Sequence, residues 1–303
     1  MKIDNQLIYN FEKDLDPKNI SASKIKAKVL GYGEISSIFE LEEHPGIAFK
    51  RMPLFKDNSE AEQYAANFKT YCALLKKAGL NLPEDNTIIV EAPGHPVVLY
   101  IAQKKLESNN FVHQLIHSLR GEALTDLLNN VVLSTKKIWT FNAANKPDTE
   151  LSLDGQLSNW VYTDGTLFYI DTSTPMFRLN SKEQLNPNLL LQSAPGFLRW
   201  LLKLFFIDDV MNRYYDLRLV FIDMIANLHK EQKPGLIPEL LEIANKHLPA
   251  ENELITANEV ESYYKEDKLI WSLFLSFRRF DRWMTTKFFS KRYEFILPGK
   301  IKR

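Results

Sequence analysis

Apolar and polar positions alternate differently in the first third of the chain and in the remainder. Short alternating runs bounded by glycine or proline predict five strands, and the apolar spacing beyond residue 105 is mostly helical. This pattern predicts an α+β fold, with a small antiparallel sheet within residues 1–104 and a larger, mainly helical part at 105–303. The predicted strands lie at 26–30, 35–41, 46–50, 87–91 and 96–101.

One helix is predicted among these strands, after the third of them. Ser59 begins it, and Glu62 follows three residues later as a capping-box partner. Gly79 ends the helix, and Pro83 prevents it from restarting. Its apolar stripe at helical spacing consists of Ala61, Ala65, Phe68, Cys72 and Leu75.

The C-terminal part is predicted to hold helices around a hairpin at residues 151–175. The turn Thr163-Asp164-Gly165 is of a type that joins two antiparallel strands. The segment 194–229 has room for one or two helices. The other predicted helices lie at 110–119, 124–141, 236–247 and 259–289.

Composition excludes some classes of protein. The 303 residues are 45% hydrophobic and 25% charged, which is typical of a soluble globular protein. A formal net charge of zero gives no global field that would steer the chain to nucleic acid or membrane. The single cysteine, Cys72, rules out an intrachain disulfide and fits a reducing compartment, so we expect a cytoplasmic protein. The most apolar stretch, 197–207, is broken by Arg199 and Lys203 and is too short to span a bilayer.

The most informative chemical pattern lies in the predicted hairpin. Asp154 and Asn159 are spaced Asp-x4-Asn, and Asp171 ends the strand that follows the turn. Because a hairpin brings its two ends together, we expect these three side chains to converge. Carboxylate and amide oxygens are hard ligands that suit magnesium. Each element alone is common by chance, but their joint occurrence is much less so.

Other candidate residues come earlier in the chain. Gly31 and Gly33 join the first two strands, where the backbone can approach a ligand closely. Lys50 ends the third strand, and Gln103 stands where the chain leaves the fifth. An ordinary hairpin and a solvated strand end are the structural alternatives for the glycines and the lysine.

Taken in order, these motifs resemble the protein-kinase-like superfamily over roughly residues 24–175. The closer likeness is to its small-molecule branch, typified by the aminoglycoside phosphotransferase and choline kinase families. The chain is also similar to an uncharacterised bacterial family with a kinase-like core. The resemblance implies a bilobal fold, ATP and Mg²⁺ as cofactors, and transfer of a γ-phosphoryl group to a hydroxyl of a small molecule or lipid head group.

The resemblance also implies a role for each candidate residue. Lys50 contacts the nucleotide phosphates and forms an ion pair with Glu62, for which Glu60 is the alternative. Asp154 becomes the catalytic aspartate that accepts the proton of the acceptor hydroxyl. Gly31, Gly33 and the hinge at Gln103 contact the nucleotide. Asn159 and Asp171 bind magnesium.

Three departures from the family pattern leave other functions open. Serine, either Ser36 or Ser37, replaces the third glycine of the phosphate loop. Ser152 stands where a histidine is usual, and Ser173 where a glycine is usual. No long activation segment follows, which favours the small-molecule branch over a regulated protein kinase. The alternatives are a pseudokinase that serves as an interaction module and an enzyme that transfers the nucleotide to a protein hydroxyl.

Two features of the C-terminal part concern binding partners. Aromatic and acidic residues suggest a pocket for a cationic or sugar-like acceptor, with ordinary helix packing as the favoured alternative. The tail 278–303 contains nine Lys or Arg and two Asp or Glu. Such a tail contacts anionic lipid or a phosphorylated partner, or packs against an acidic body. The residues of the suggested pocket are Trp200, Asp208, Asp209, Tyr214, Tyr215 and Asp216.

Overall fold

The computed structural model mixes helices and strands, which confirms the α+β class. Gly33 and residues 194–210 of the predicted helical segment 194–229 lie outside the described residues. None of the helices within the described ranges is both long and apolar enough to cross a membrane. The structure describes residues 1–20, 23–32, 36–186, 189 and 211–296.

Five strands before residue 105 form one antiparallel sheet, as predicted. They are β1 (Ala27–Tyr32), β2 (Ser37–Leu41), β3 (Ile47–Phe55), β4 (Asp85–Val90) and β5 (Val97–Lys104). Their spatial order is β1-β2-β3-β5-β4, so β3 lies in the centre between β2 and β5. Nearly every residue of β3 and β5 is buried, which shows that both faces of the sheet are covered.

One face of the sheet is covered by α2 (Asn58–Lys77), the predicted helix. All the residues of its predicted apolar stripe are buried. All of them except Leu75 pack with β3 and β5 side chains such as Leu54 and Leu99. The predicted start is wrong by two residues, because the cap is Asp57, whose Oδ1 accepts from the backbone N–H of Glu60 at 2.9 Å. Glu62 therefore does not complete a capping box.

The opposite face is covered by a helix that the sequence pattern did not reveal, α1 (Asn5–Asp14). Asp4 caps it by accepting from the backbone N–H groups of the first turn. Ile8 and Phe11 are fully buried, and the Phe11 ring lies 5.0 Å from the ring of Phe39 in β2. This packing makes α1 part of the sheet's core.

The longer helices of the C-terminal part pack into a second core. They are α3 (Val112–Ser118), α4 (Glu122–Asn145), α5 (Leu217–Lys230), α6 (Ile237–His247) and α7 (Ala257–Trp283). The predicted break near Pro234 is present as a short 3-10 turn between α5 and α6. A π-type turn at Met284–Phe288 ends α7, after which the chain returns to the five-stranded sheet.

The predicted hairpin is confirmed between α4 and α5. The positive φ angles of Asp164 (49°) and Gly165 (74°) form the tight turn that the sequence predicted. Its strands are β7 (Trp160–Thr163) and β8 (Thr166–Tyr169), and a small sheet of β6 (Thr149–Leu151), β9 (Phe177–Leu179) and β10 (Lys182–Glu183) flanks it. The buried contact of Trp160 with Tyr169, at 5.0 Å between ring centres, holds the open end of the hairpin.

Candidate functional site

A cleft of about 450 Å³ opens beside the central strand β3. Four of the predicted site residues line it, namely Lys50, Asp154, Asn159 and Asp171. The remaining wall includes residues from β2, α5 and α7. It also includes residues from the segments that precede β7 and follow β8. The fold thus brings together side chains that are far apart in the sequence.

Lys50 reaches the cleft from β3 and is held by the segment after β8. Its side chain is 6% exposed, and its Nζ lies 3.5 Å from the Oδ1 of Asp171. The same Nζ donates to the carbonyl oxygen of Ile170 at 2.9 Å. Since an ammonium group has three donors, Lys50 retains the capacity to bind a further anionic group.

A loop between β6 and β7 positions Asp154 and Asn159. The Oδ1 of Asp154 accepts from the backbone N–H of Gln156 at 2.9 Å. The Nδ2 of Asn159 donates to the backbone carbonyl oxygen of Asp154 at 3.2 Å. The backbone carbonyl oxygen of Asn159 accepts from the N–H of Ile170 at 3.0 Å. With the amide nitrogen turned to the backbone, the Oδ1 of Asn159 is the atom that can bind a cation.

Gly155 allows this loop to lie directly on α5. A Cβ at this position would come within 2.9 Å of the Cγ1 of Val220 and 3.1 Å of the Cε of Met224. Any side chain here would therefore push the loop away from the helix. The sequence pattern did not single out Gly155, because the close approach depends on a helix more than sixty residues away.

Asp171 lies two residues beyond β8 at the cleft entrance. Its side chain is 36% exposed, and its Oδ1 accepts from the Oγ of Ser173 at 3.1 Å. The carbonyl oxygen of Ser173 accepts in turn from the hydroxyl of Tyr64 on α2, at 2.7 Å. Ser173, which stands where the kinase-like pattern has glycine, therefore orients Asp171 through its hydroxyl.

The expected ion pair between Lys50 and Glu62 is absent, although both side chains belong to the described part of the chain. Glu62 is exposed, and its Oε1 accepts from the Nδ2 of Asn58 at 2.9 Å. The alternative, Glu60, accepts from the backbone N–H of Lys56 at 3.0 Å. The helix phase explains the error, since α2 turns Tyr64 and its apolar stripe toward the sheet and both glutamates away from it.

Among the described residues, Gly31 and Gln103 do not line the cleft. Strand β5 continues to Lys104, three residues beyond the predicted end, so Gln103 stays buried within the sheet opposite Ala48 and Asp85. Gly31 lies in β1 at an irregularity in its pairing with β2. The predicted contact of Gln103 with a nucleotide is therefore not supported.

Polar residues of α5 and α7, which the sequence reading missed, form the far end of the cleft. Burial raises the pKa of the Asp223 carboxyl, whose Oδ2 accepts from the Nε2 of Gln156 at 3.1 Å. The Nζ of Lys230 lies 2.9 Å from the Oδ2 of Asp267. Asp223 within the apolar run of α5 is the signal that marks this region in the sequence.

The predicted acceptor pocket is mostly not assembled among the described residues. Tyr214 lines the cleft. Tyr215 is buried and donates its hydroxyl to the Oε2 of Glu183 at 2.9 Å. Asp216 caps α5 by accepting from the N–H of Leu219 at 3.1 Å, so both residues have structural roles. Trp200, Asp208 and Asp209 lie outside the described residues.

These features define an α+β protein with a charged cleft beside the central strand of its largest sheet. The profile of DUF6206, described as a family of unknown function, matches residues 18–282. The protein belongs to this family, and every residue that lines the cleft lies within the matched range. No curated protein matches the chain.

Proposed function

We propose that this protein is an ATP- and magnesium-dependent phosphotransferase that moves a γ-phosphoryl group to a hydroxyl of a small molecule or lipid head group. The convergence of Lys50, Asp154, Asn159 and Asp171 on one cleft carries the proposal. Phosphoryl transfer requires little covalent chemistry from a protein. It requires positioning of the reactants and neutralisation of charge, which this set of side chains supplies.

A bilobal protein-kinase-like fold is part of the proposal, and two features support it. The cleft lies beside a five-stranded antiparallel sheet that is followed by a mainly helical region. Lys50 is on the third strand of that sheet, which is where protein kinases carry the lysine that contacts phosphates.

Asn159 and Asp171 are the residues that would hold magnesium. Magnesium commonly binds to one or two protein oxygens and completes its shell with water and substrate phosphates. Among the described residues no group of three or more His, Cys, Asp and Glu side chains is assembled, and such a nucleotide-bound ion does not require one. When bound, the ion neutralises charge on the phosphates, while Lys50 binds their oxygens from the sheet side.

Asp154 is positioned to accept a proton. In the proposed reaction the acceptor oxygen forms a bond to the γ-phosphorus while the bond to the β–γ bridging oxygen breaks. The hydroxyl proton passes to Asp154, and ADP is the leaving group. The backbone N–H of Gln156 holds one carboxylate oxygen in place, at 2.9 Å. A cytoplasmic location is also part of the proposal, and the buried free thiol of Cys72 supports it.

A pseudokinase is the second candidate, because no glutamate of α2 reaches Lys50 in the described structure. A transferase that moves the nucleotide to a protein hydroxyl would use a similar residue set. We would incubate the protein with Mg²⁺, ATP and pooled hydroxyl acceptors, with Asp154→Asn as the control, and determine the products by mass.

The three functions predict different products. ADP together with a phosphorylated acceptor, both lost in Asp154→Asn, is the result expected of a phosphotransferase. Diphosphate and a nucleotidylated protein would identify the nucleotidyl transferase instead. The absence of any product with chemically diverse acceptors would favour the pseudokinase, whether or not ATP binds.

A further inference from the structure

The C-terminal end of α7 and the turn that follows it expose three large aromatic side chains. Trp283 is 54% exposed, Phe288 is 71% exposed and Phe289 is 55% exposed. Single exposed apolar residues are ordinary on protein surfaces, but contiguous ones mark sites of interaction. We call this group of three residues the aromatic tip.

Hydrogen bonds of the backbone fix the turn that presents the aromatic tip. The N–H of Phe289 donates to the carbonyl oxygen of Met284 at 3.0 Å. The N–H of Lys291 donates to the carbonyl oxygen of Thr285 at 2.9 Å. The tip is therefore an ordered turn that projects its side chains outward.

The segment that follows the tip is anchored to β3 and to the residue that follows α1. The Nη1 of Arg51 donates to the carbonyl oxygen of Glu294 at 2.8 Å, and the Nη2 of Arg292 donates to that of Leu15 at 2.9 Å. Tyr293 between them is 5% exposed. Because α7 precedes the tip and this anchored segment follows it, the aromatic side chains are presented from a fixed base.

Exposed cations are interleaved with the residues of the aromatic tip along the chain. Arg282, Lys287 and Lys291 alternate with the aromatic residues along the chain, and all three are exposed. The whole chain has no net charge, so this excess of positive residues is a local feature. Anionic surfaces are the partners that such an arrangement attracts.

We propose that the aromatic tip and its three cations dock on a lipid bilayer that carries anionic head groups. Tryptophan and phenylalanine insert at the boundary between head groups and acyl chains, while lysine and arginine contact the anionic lipids. A second copy of the chain is a poorer occupant, because a two-fold interface through this surface would set the same cations against each other. The inference concerns binding alone and does not depend on the proposed catalysis.

Co-sedimentation of the full chain with vesicles tests this surface. The vesicles contain either phosphatidylcholine alone or phosphatidylcholine with about 30% phosphatidylglycerol. We expect binding to the anionic vesicles that weakens in high salt. The triple variant Trp283→Ser, Phe288→Ser and Phe289→Ser is expected to bind at least about tenfold more weakly, since each aromatic side chain contributes to burial.

Charge variants give an independent readout, since exposed side chains can be changed without loss of the fold. Lys287→Glu with Lys291→Glu is expected to weaken binding at least about twentyfold, at about fivefold for each lysine lost. Lys69→Glu with Lys104→Glu changes the net charge equally at exposed positions on α2 and β5 and is expected to bind like the unaltered protein. Equal binding of both vesicle types, or of the aromatic variant and the unaltered protein, would overturn the proposal. So would a dimer that the aromatic variant dissociates while neither protein binds vesicles.

Discussion

Lys50 and Arg51 are neighbours on β3, yet they point to opposite faces of the sheet and have different surroundings. The guanidinium of Arg51 is fully buried and donates to both carboxylate oxygens of Glu12 at 2.7 Å. It also donates to Glu294 in the segment that returns from α7. Lys50 faces the cleft, where the nearest carboxylate, that of Asp171, is 3.5 Å away and partly exposed.

The difference distinguishes a structural cation, Arg51, from a cation that we propose binds a ligand, Lys50. Burial alone would raise the pKa of Glu12, but the hydrogen bonds and charge of Arg51 outweigh it and leave that pKa below the ordinary value of 4.5. Such a buried pair needs all its partners to offset the desolvation of two charges. Lys50 has spare donors at the edge of a cleft, and this is the condition for binding an anionic ligand.

The largest expected effect is on stability and comes from Arg51, on the face of β3 that packs against α1. Arg51→Met should lower the free energy of unfolding by about 3–5 kcal/mol, because it leaves Glu12 buried without its partner. Chemical denaturation measures this loss. Arg51→Met combined with Glu12→Gln should recover part of it, and a single variant within about 1 kcal/mol of the unaltered protein would show that the pair is not needed.

The next largest effect is on turnover and comes from substitution of the aspartates that line the cleft. Asp154→Ala or Asp171→Ala should abolish turnover, with a loss of at least about 100- to 1000-fold, since each removes a group that acts on developing charge. The fold should stay intact, because neither residue belongs to the buried cores. Product assays and thermal unfolding test both statements, and near-normal turnover in well-folded Asp171→Ala would contradict the mechanism.

The stability of the protein should also depend on pH through Glu12, the buried partner of Arg51. Because the pKa of Glu12 is lowered in the folded state, its contribution is complete above the ordinary value of 4.5 and is lost as the pH falls through the lower folded-state pKa. Stability measured between pH 7 and pH 3 should therefore decline less steeply in Glu12→Gln than in the unaltered protein. Equally steep declines in the two proteins would show that protonation of Glu12 does not affect the stability of the fold.

The smallest effect is expected at Glu62. Its carboxylate is exposed and bonded only locally to Asn58, so Glu62→Gln should change the free energy of unfolding by less than about 0.5 kcal/mol. Turnover should also be unchanged, in contrast to Lys50→Met. A loss of activity in Glu62→Gln comparable to that in Lys50→Met would show that the two residues do meet during the reaction.

Local patterns predicted much of the frame of the cleft. The stripe of α2 and the Asp164-Gly165 turn depend on short-range periodicity and turn chemistry, and both are confirmed. The strand that carries Lys50 is also present, but its predicted end is wrong, because β3 continues for five residues beyond Lys50, to Phe55. The convergence of Asp154, Asn159 and Asp171 followed from the hairpin, because a tight turn fixes which residues lie at its open end.

Other features depend on contacts between distant segments, which no local pattern reveals. Order along the chain predicts the role of Glu62, but the direction of its side chain is set by which side of α2 the sheet buries. The pattern predicts that β5 ends at Ile101, before Gln103, whereas the strand continues to Lys104. The pairing of Glu12 with Arg51 required α1, whose short amphipathic stripe was not recognised, and the contacts of Asp223 required α5 to lie against Gly155.

The most direct test of the central claim is a thermal-shift titration with Mg²⁺ and ATP. A ligand that binds only the folded state at about 100 times its Kd adds about 2.7 kcal/mol of stability. We predict a rise in Tm of several degrees that requires both Mg²⁺ and ATP and is lost in Lys50→Met and Asp171→Asn but retained in Glu62→Gln. An equal rise in Lys50→Met, or no rise in the unaltered protein at millimolar Mg²⁺ and ATP, would contradict the assignment of this cleft as a nucleotide site.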